Sequence, residues 1–141
     1  MEVDRTGLEV LARDECMRLL RGSLVGRVIV SDRALPAAFP VNFAVLDDDV
    51  VFRTTAGSKL EAASVRAVVA FEVDDLDPLA QSGWSVLVQG LAGLIADPVD
   101  MARAQALPLH LWAPGQRVEF LRIRSEIVSG RRLLQQVRVS S

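Results

Sequence analysis

From residue 24 onward the chain runs in short stretches of branched apolar residues, each closed by a turn signal, and this rhythm restricts it to an antiparallel, mainly β architecture. Residues 24–30 and 38–46 read as strands joined through Ser31-Asp32-Arg33, and the acidic turn Asp47-Asp48-Asp49 makes a hairpin with residues 50–54. Residues 67–73 alternate. Ala67, Val69, Phe71 and Val73 form one face, while Glu72 and Asp74 fall on the other. After a loop at Asp77-Pro78 comes the longest strand, 84–95, where Gly90 and Gly93 allow a bend or a close backbone approach. The last strand, 116–128, changes parity: Val118 and Phe120 point one way, Leu121 and Ile123 the other. That predicts a bulge or strong twist near Phe120-Leu121.

Three short helices punctuate the strands. Residues 13–20 place Cys16, Leu19 and Leu20 on one side, and residues 58–65 form a second helix. Asp97 is an N-cap for the third, with Pro98 at its first position and Asp100 against the dipole, and Pro108 marks its end. Strands joined by hairpins with helical plugs argue for an antiparallel barrel. At 141 residues and 15.3 kDa, positions 1–141 are expected to form a single domain.

Sixteen basic against eighteen acidic residues give a formal charge of −2, which favours neither nucleic acid nor an anionic membrane. Cys16 is the only cysteine and no Cys/His cluster has zinc spacing, so neither an internal disulfide nor a zinc site is expected. The first residues lack an apolar signal-type core and no apolar run reaches membrane-spanning length, so a soluble, cytoplasmic protein is expected. An apolar content of 50% and a mean hydropathy of +0.28 suit a buried subunit interface, hence a homodimer.

The segment Phe52-Arg53-Thr54-Thr55-Ala56-Gly57-Ser58-Lys59-Leu60 gathers two cations, three hydroxyls and a glycine where a strand passes into a helix. Arg53 can fork two N–H bonds to phosphate oxygens, Lys59 adds a point charge, and Gly57 lets a ligand approach the backbone. The same residues admit a second reading: Ser58 followed three positions later by Glu61 is a capping box that needs no ligand.

An ordered set of segments resembles the pyridoxamine-phosphate oxidase-like, FMN-binding split-barrel family in its short single-domain bacterial branch. It runs from Gly26-Arg27-Val28 through Phe39-Pro40-Val41-Asn42-Phe43 and the 52–60 segment to Val69-Ala70-Phe71-Glu72-Val73-Asp74. Gly83-Trp84-Ser85 through Gly90 and Ile127-Val128-Ser129-Gly130-Arg131-Arg132-Leu133 complete it. The resemblance implies a six-stranded antiparallel split β-barrel with short helices, dimeric, with two flavin sites at the subunit interface. It places Arg53, Ser58 and Lys59 at the FMN phosphate, and Thr54 and Thr55 beside the phosphate and ribityl chain. It sets Pro40, Val41 and Asn42 along the isoalloxazine ring, and brings Trp84 and Ser85 toward the cofactor. Trp84 serves equally as a dimer-packing anchor.

The implied activity is an FMN-dependent oxidoreductase in which no side chain need be a catalytic acid, and a nicotinamide donor would meet the open ring face only transiently. The chain is shorter than the oxidase and has no counterpart of its substrate-phosphate grip, so pyridoxamine phosphate is not the expected substrate. Trp112, Gly115, Gln116 and Arg117 echo its C-terminal region only in outline, and His110, the single histidine, has no acid partner in view. Two other readings stand: a reductase of the same fold using a deazaflavin, and a flavin- or small-ligand-binding protein without turnover.

Overall fold

The computed structural model describes residues 1–109 and 117–133. In chain order the elements are β1 (Glu2–Val3), β2 (Glu9–Val10), α1 (Arg13–Arg21), β3 (Val25–Asp32), β4 (Leu35–Leu46) and β5 (Asp49–Thr55). They continue with α2 (Lys59–Ser64), β6 (Val68–Asp77), β7 (Ser82–Leu94), α3 (Pro98–Gln105), β8 (Val118–Ile123) and β9 (Ile127–Leu133). Strands β7, β6, β3, β4, β5 and β8 follow one another and β8 returns to β7, closing an antiparallel ring of six. The expected split barrel is present.

Two long strands close the ring by changing partners along their length. Residues 35–42 of β4 pair with β3, and residues 43–46 pair with β5. Residues 83–89 of β7 pair with β9, and residues 92–94 pair with β8. Gly90 stands between these two partners, and a Cβ there would lie 1.8 Å from the Arg124 carbonyl oxygen. The turn between β8 and β9 therefore crosses β7 where a side chain is missing, as the glycine suggested. Arg124 N–H donates to the Leu91 carbonyl at 3.0 Å and Leu91 N–H to Glu126 Oε2 at 3.3 Å, which fastens the crossing.

Inside the ring Val28, Phe43, Phe52, Phe71, Val86, Val88, Leu121 and Ile123 form the core. Phe43 and Phe71 meet edge to face, their centroids 4.7 Å apart. Helix α1 buries Cys16, Met17 and Leu20 in the same core. It seats against β9 at Gly130, where a Cβ would come within 2.6 Å of Cys16 Sγ. The hairpins at Arg33-Ala34 and Asp47-Asp48 use two-residue turns with positive φ throughout, so β3 and β4 run further into their connection than the pattern suggested.

The region read as one strand over 116–128 is instead two, β8 and β9, on either side of a turn; Gln116 lies outside the described residues. No bulge occurs at Phe120-Leu121, because β8 pairs with β5 in unbroken register from Val50↔Ile123 to Thr55↔Val118. The mixed parity has another cause. Leu121 and Ile123 face the barrel core, while Phe120 packs under α3 with Leu46, Val51, Ile95 and Ala104, so both faces of β8 are covered.

Candidate functional site

The partner exchange in β4 creates the site. Its pairing with β5 starts at Phe43↔Phe52, so Arg53, Thr54 and Thr55 extend past it and bond only to β8, while Pro40, Val41 and Asn42 bond only to β3. Two strand edges carrying the predicted residues thus part from one another. Helix α2 leaves directly from β5 and packs against both β5 and β3.

At the β5–α2 junction the Ser58 half of the capping box is formed, and the Glu61 carboxylate reaches one residue further, to Gly57, because Ser58 N–H donates to the Thr55 carbonyl. Ser58 Oγ accepts from Glu61 N–H at 3.2 Å, and Glu61 Oε1 accepts from Gly57 N–H at 3.2 Å. Thr54 Oγ1 donates to Glu61 Oε2 at 3.4 Å from a position only 4% exposed. A carboxylate therefore already occupies the amide and hydroxyl that would greet a phosphate. The donor set suits that anion: Gly57 has φ +81 with nothing within 4 Å of where a Cβ would be, and Lys59 is exposed beside it. Lys59 is also the only lysine in the chain.

Arg53 is held differently. Strand alternation sends its side chain to the face opposite Thr54, where its guanidinium lies 5.2 Å from the Phe120 ring centroid and Nη1 donates to the Leu109 carbonyl at 3.5 Å. Lys59 instead lines a cleft of about 530 Å³ with Ser31, Asp32, Arg33 and the alanines of α2, and Arg53 does not line it. The structure sets Thr54 and Ser58 on Glu61 and Lys59 in the neighbouring cleft, with Arg53, and by the same alternation Thr55, on the other face of β5.

The remaining predicted residues divide by pleat. Pro40, Asn42 and Ser85 project from the outer face of the sheet, whereas Val41 and Trp84 share the pleat of the core-facing residues. Trp84 packs against the core and lines a cleft with Leu19, Val25 and Val73. Asn42 and Ser85 are separated by β3 and β6, about 14 Å at a strand spacing of ~4.8 Å. The outer face is unusually apolar: Val25, Val68, Leu91 and Ile127 are 55%, 73%, 47% and 61% exposed on it.

At its centre lies a charged group that sequence reading did not assemble. Arg27 Nη1 stands 3.0 Å from Asp74 Oδ2 and 3.5 Å from Glu72 Oε1. Burial, then a hydrogen bond to Asp74 and its negative charge, push Glu72 up to about 7. The alternation in 67–73 put both acids on one face, but Arg27 reaches them only through the β3–β6 pairing.

Cys16 is buried and its thiol is pushed up by that burial, which makes it inert. Among the described residues no group of His, Cys, Asp and Glu could hold a metal, and no helix is long and apolar enough to cross a membrane. His110, Trp112, Gly115 and Gln116 lie outside the described residues.

Comparison with known proteins agrees with this architecture. The chain is 44% identical over 129 residues to the protein Rv0080 of Mycobacterium tuberculosis, spanning 88% of this chain and 84% of that one. Among solved structures it is similar to the FAD binding protein from Mycobacterium smegmatis, at 35% identity and TM-score 0.78 over 88% of this chain and 96% of that one. An FAD-binding protein from Mesorhizobium loti superposes with TM-score 0.70 at 25% identity, over 90% of this chain and 99% of that one. The pyridoxamine 5′-phosphate oxidase profile matches residues 12–132, nearly the whole described barrel, and the chain belongs to that family.

Proposed function

We propose that the chain binds a flavin nucleotide by its 5′-phosphate at the β5–α2 junction and serves as a flavin-dependent oxidoreductase. The observation that carries this reading is the junction itself, where Thr54 Oγ1 and the Gly57 amide hold the Glu61 carboxylate at the start of a helix that opens with Ser58 and Lys59. A carboxylate held by an amide and a hydroxyl marks a place built for an anion. The bound flavin would supply the redox chemistry, and the protein its position and charge balance. Lys59 offsets the phosphate charge, Thr54 bonds the phosphate, and the Pro40–Asn42 edge lies along the ring, while Arg53 and Thr55, on the other face of β5, act only at longer range.

FMN is the smallest flavin with the required phosphate. Similarity to two proteins named for FAD favours a second reading, in which the same phosphate belongs to the dinucleotide.

Sites shared between two subunits, as the resemblance implies, would take Trp84 and Ser85 from the second copy of a homodimer. The apolar outer face is the surface a second copy would cover. Val68→Glu, at the start of β6 beside Leu91 on that face, should convert the dimer to monomer by light scattering and weaken flavin binding; a wild-type chain that binds flavin fully as a 15.3 kDa particle contradicts this assembly.

The phosphate claim is tested by affinity ratios. Each charge-assisted bond is worth roughly 1.5–3 kcal/mol, so Lys59→Ala should weaken FMN about ten- to a hundredfold, while Arg53→Ala, whose guanidinium sits over Phe120 on the opposite face, should change the FMN-to-riboflavin ratio far less. Riboflavin, without the phosphate, should be unaffected by either change. An FMN-to-riboflavin ratio unchanged in Lys59→Ala returns the segment to a capped helix and nothing more.

A further inference from the structure

The phosphate site meets a second surface feature at Lys59, which lines a cleft that Thr54 and Ser58 do not. It holds about 530 Å³, within the ~300–1,000 Å³ range of small-molecule pockets, between α2 and the turn joining β3 to β4. Its lining combines charge with small apolar groups. Lys59 and Arg33 supply two cations, and Ala62, Ala63, Val65 and Ala67 supply the apolar part. Ser31 and Asp32 add a hydroxyl and a carboxylate.

We propose that this cleft is a subsite for the adenosine and second phosphate of a dinucleotide flavin, a reading that rests on the phosphate site proposed above. The second phosphate would lie between Lys59 and Arg33, which balance its charge. Asp32 is unsuited to a phosphate but suited to the ribose hydroxyls, which donate to a carboxylate. The small apolar lining of Ala62, Ala63, Val65 and Ala67 suits a flat base. Ala62 is exposed on α2 and Arg33 is exposed in its turn, so both can be changed without opening the core.

The test titrates the flavin-free full-length chain with FAD and with FMN, following flavin fluorescence, in wild type, Arg33→Asn and Ala62→Leu. Asparagine tolerates the positive φ of 50 at position 33, and leucine preserves the helix while filling the cleft. Wild type should bind FAD about tenfold or more tighter than FMN. Both variants should erase most of that advantage while FMN affinity stays within about twofold and the melting temperature is unchanged. Variants that leave FAD affinity intact, or a wild type with no preference for FAD, overturn the subsite and leave the phosphate site standing. Parallel loss of FAD and FMN also overturns it, since the residues would then serve the shared part of the ligand. A wild type that binds neither flavin refutes the subsite and the phosphate site together.

Discussion

Replacing Gly90 with alanine should do more damage than any other single methyl group added to the barrel. The new Cβ would lie 1.8 Å from the Arg124 carbonyl oxygen and 2.9 Å from its carbon, far inside the 3.0 Å below which real Cβ contacts essentially do not occur. Both atoms are backbone, so no rotamer can relieve the clash. The β8–β9 turn must lift away from β7, which stretches the Arg124–Leu91 and Leu91–Glu126 hydrogen bonds. Two such bonds are worth about 1 kcal/mol each and overpacking adds about 1–3 kcal/mol, a loss of roughly 3–5 kcal/mol. Gly93, three residues on in the same strand, is the control. Nothing lies within 4 Å of its Cβ position, so Gly93→Ala should be neutral or should stabilise by about 0.5–1 kcal/mol through chain entropy. Urea unfolding at one fixed protein concentration measures both. A Gly90→Ala loss below about 1 kcal/mol, or an equal loss in Gly93→Ala, would refute the crossing as the point where the barrel splits.

Glu72, raised from 4.5 to about 7, holds a proton in the native state that the unfolded chain releases. The native state therefore binds more protons between those values, so its stability is fullest below about 4.5 and declines as pH rises through 7. Glu72→Gln should flatten this decline, by about 1 kcal/mol once solvent screening is included, in melts from pH 5 to about pH 8. An unaltered pH profile would show that burial and the Asp74 carboxylate do not hold the proton on Glu72. Cys16→Ala should cost about 1–2 kcal/mol by urea unfolding and leave flavin affinity unchanged, because Cys16 is a buried small hydrophobe. Loss of flavin binding in a folded Cys16→Ala variant would move the site. As the only lysine, Lys59 should be protected from amine-reactive labelling by FMN and not by riboflavin, as peptide mass mapping can show; equal labelling in both would contradict phosphate contact.

The barrel was legible because its strands obey two-residue alternation and its hairpins carry turn residues. Asp97 and Pro98 announced α3, and Asp97 Oδ2 indeed accepts from Asp100 N–H at 3.0 Å. The two-residue strands β1 and β2 were missed, since Glu2–Val3 and Glu9–Val10 are too short to show any period. In β8 the alternation was seen and misassigned, because adjacent buried residues can mean a bulge or two covered faces, and only α3 packing on Phe120 distinguishes them. Thr54, Ser58, Lys59 and Glu61 were readable as one site because they are contiguous. Arg53 was readable as a cation but not in its direction, which depends on Phe120 and Leu109, distant in sequence. The Arg27–Glu72–Asp74 group was invisible for the same reason, as it joins β3 to β6 across 45 and 47 residues.

The most direct test of the flavin assignment is the visible absorption spectrum of the purified chain, together with mass identification of whatever small molecule it releases on denaturation. The account predicts a flavin spectrum and a released flavin nucleotide, or, from protein purified empty, stoichiometric uptake of FAD or FMN with quenched fluorescence. A released deazaflavin, a chromophore of another class, or a folded chain that takes up neither nucleotide would contradict it.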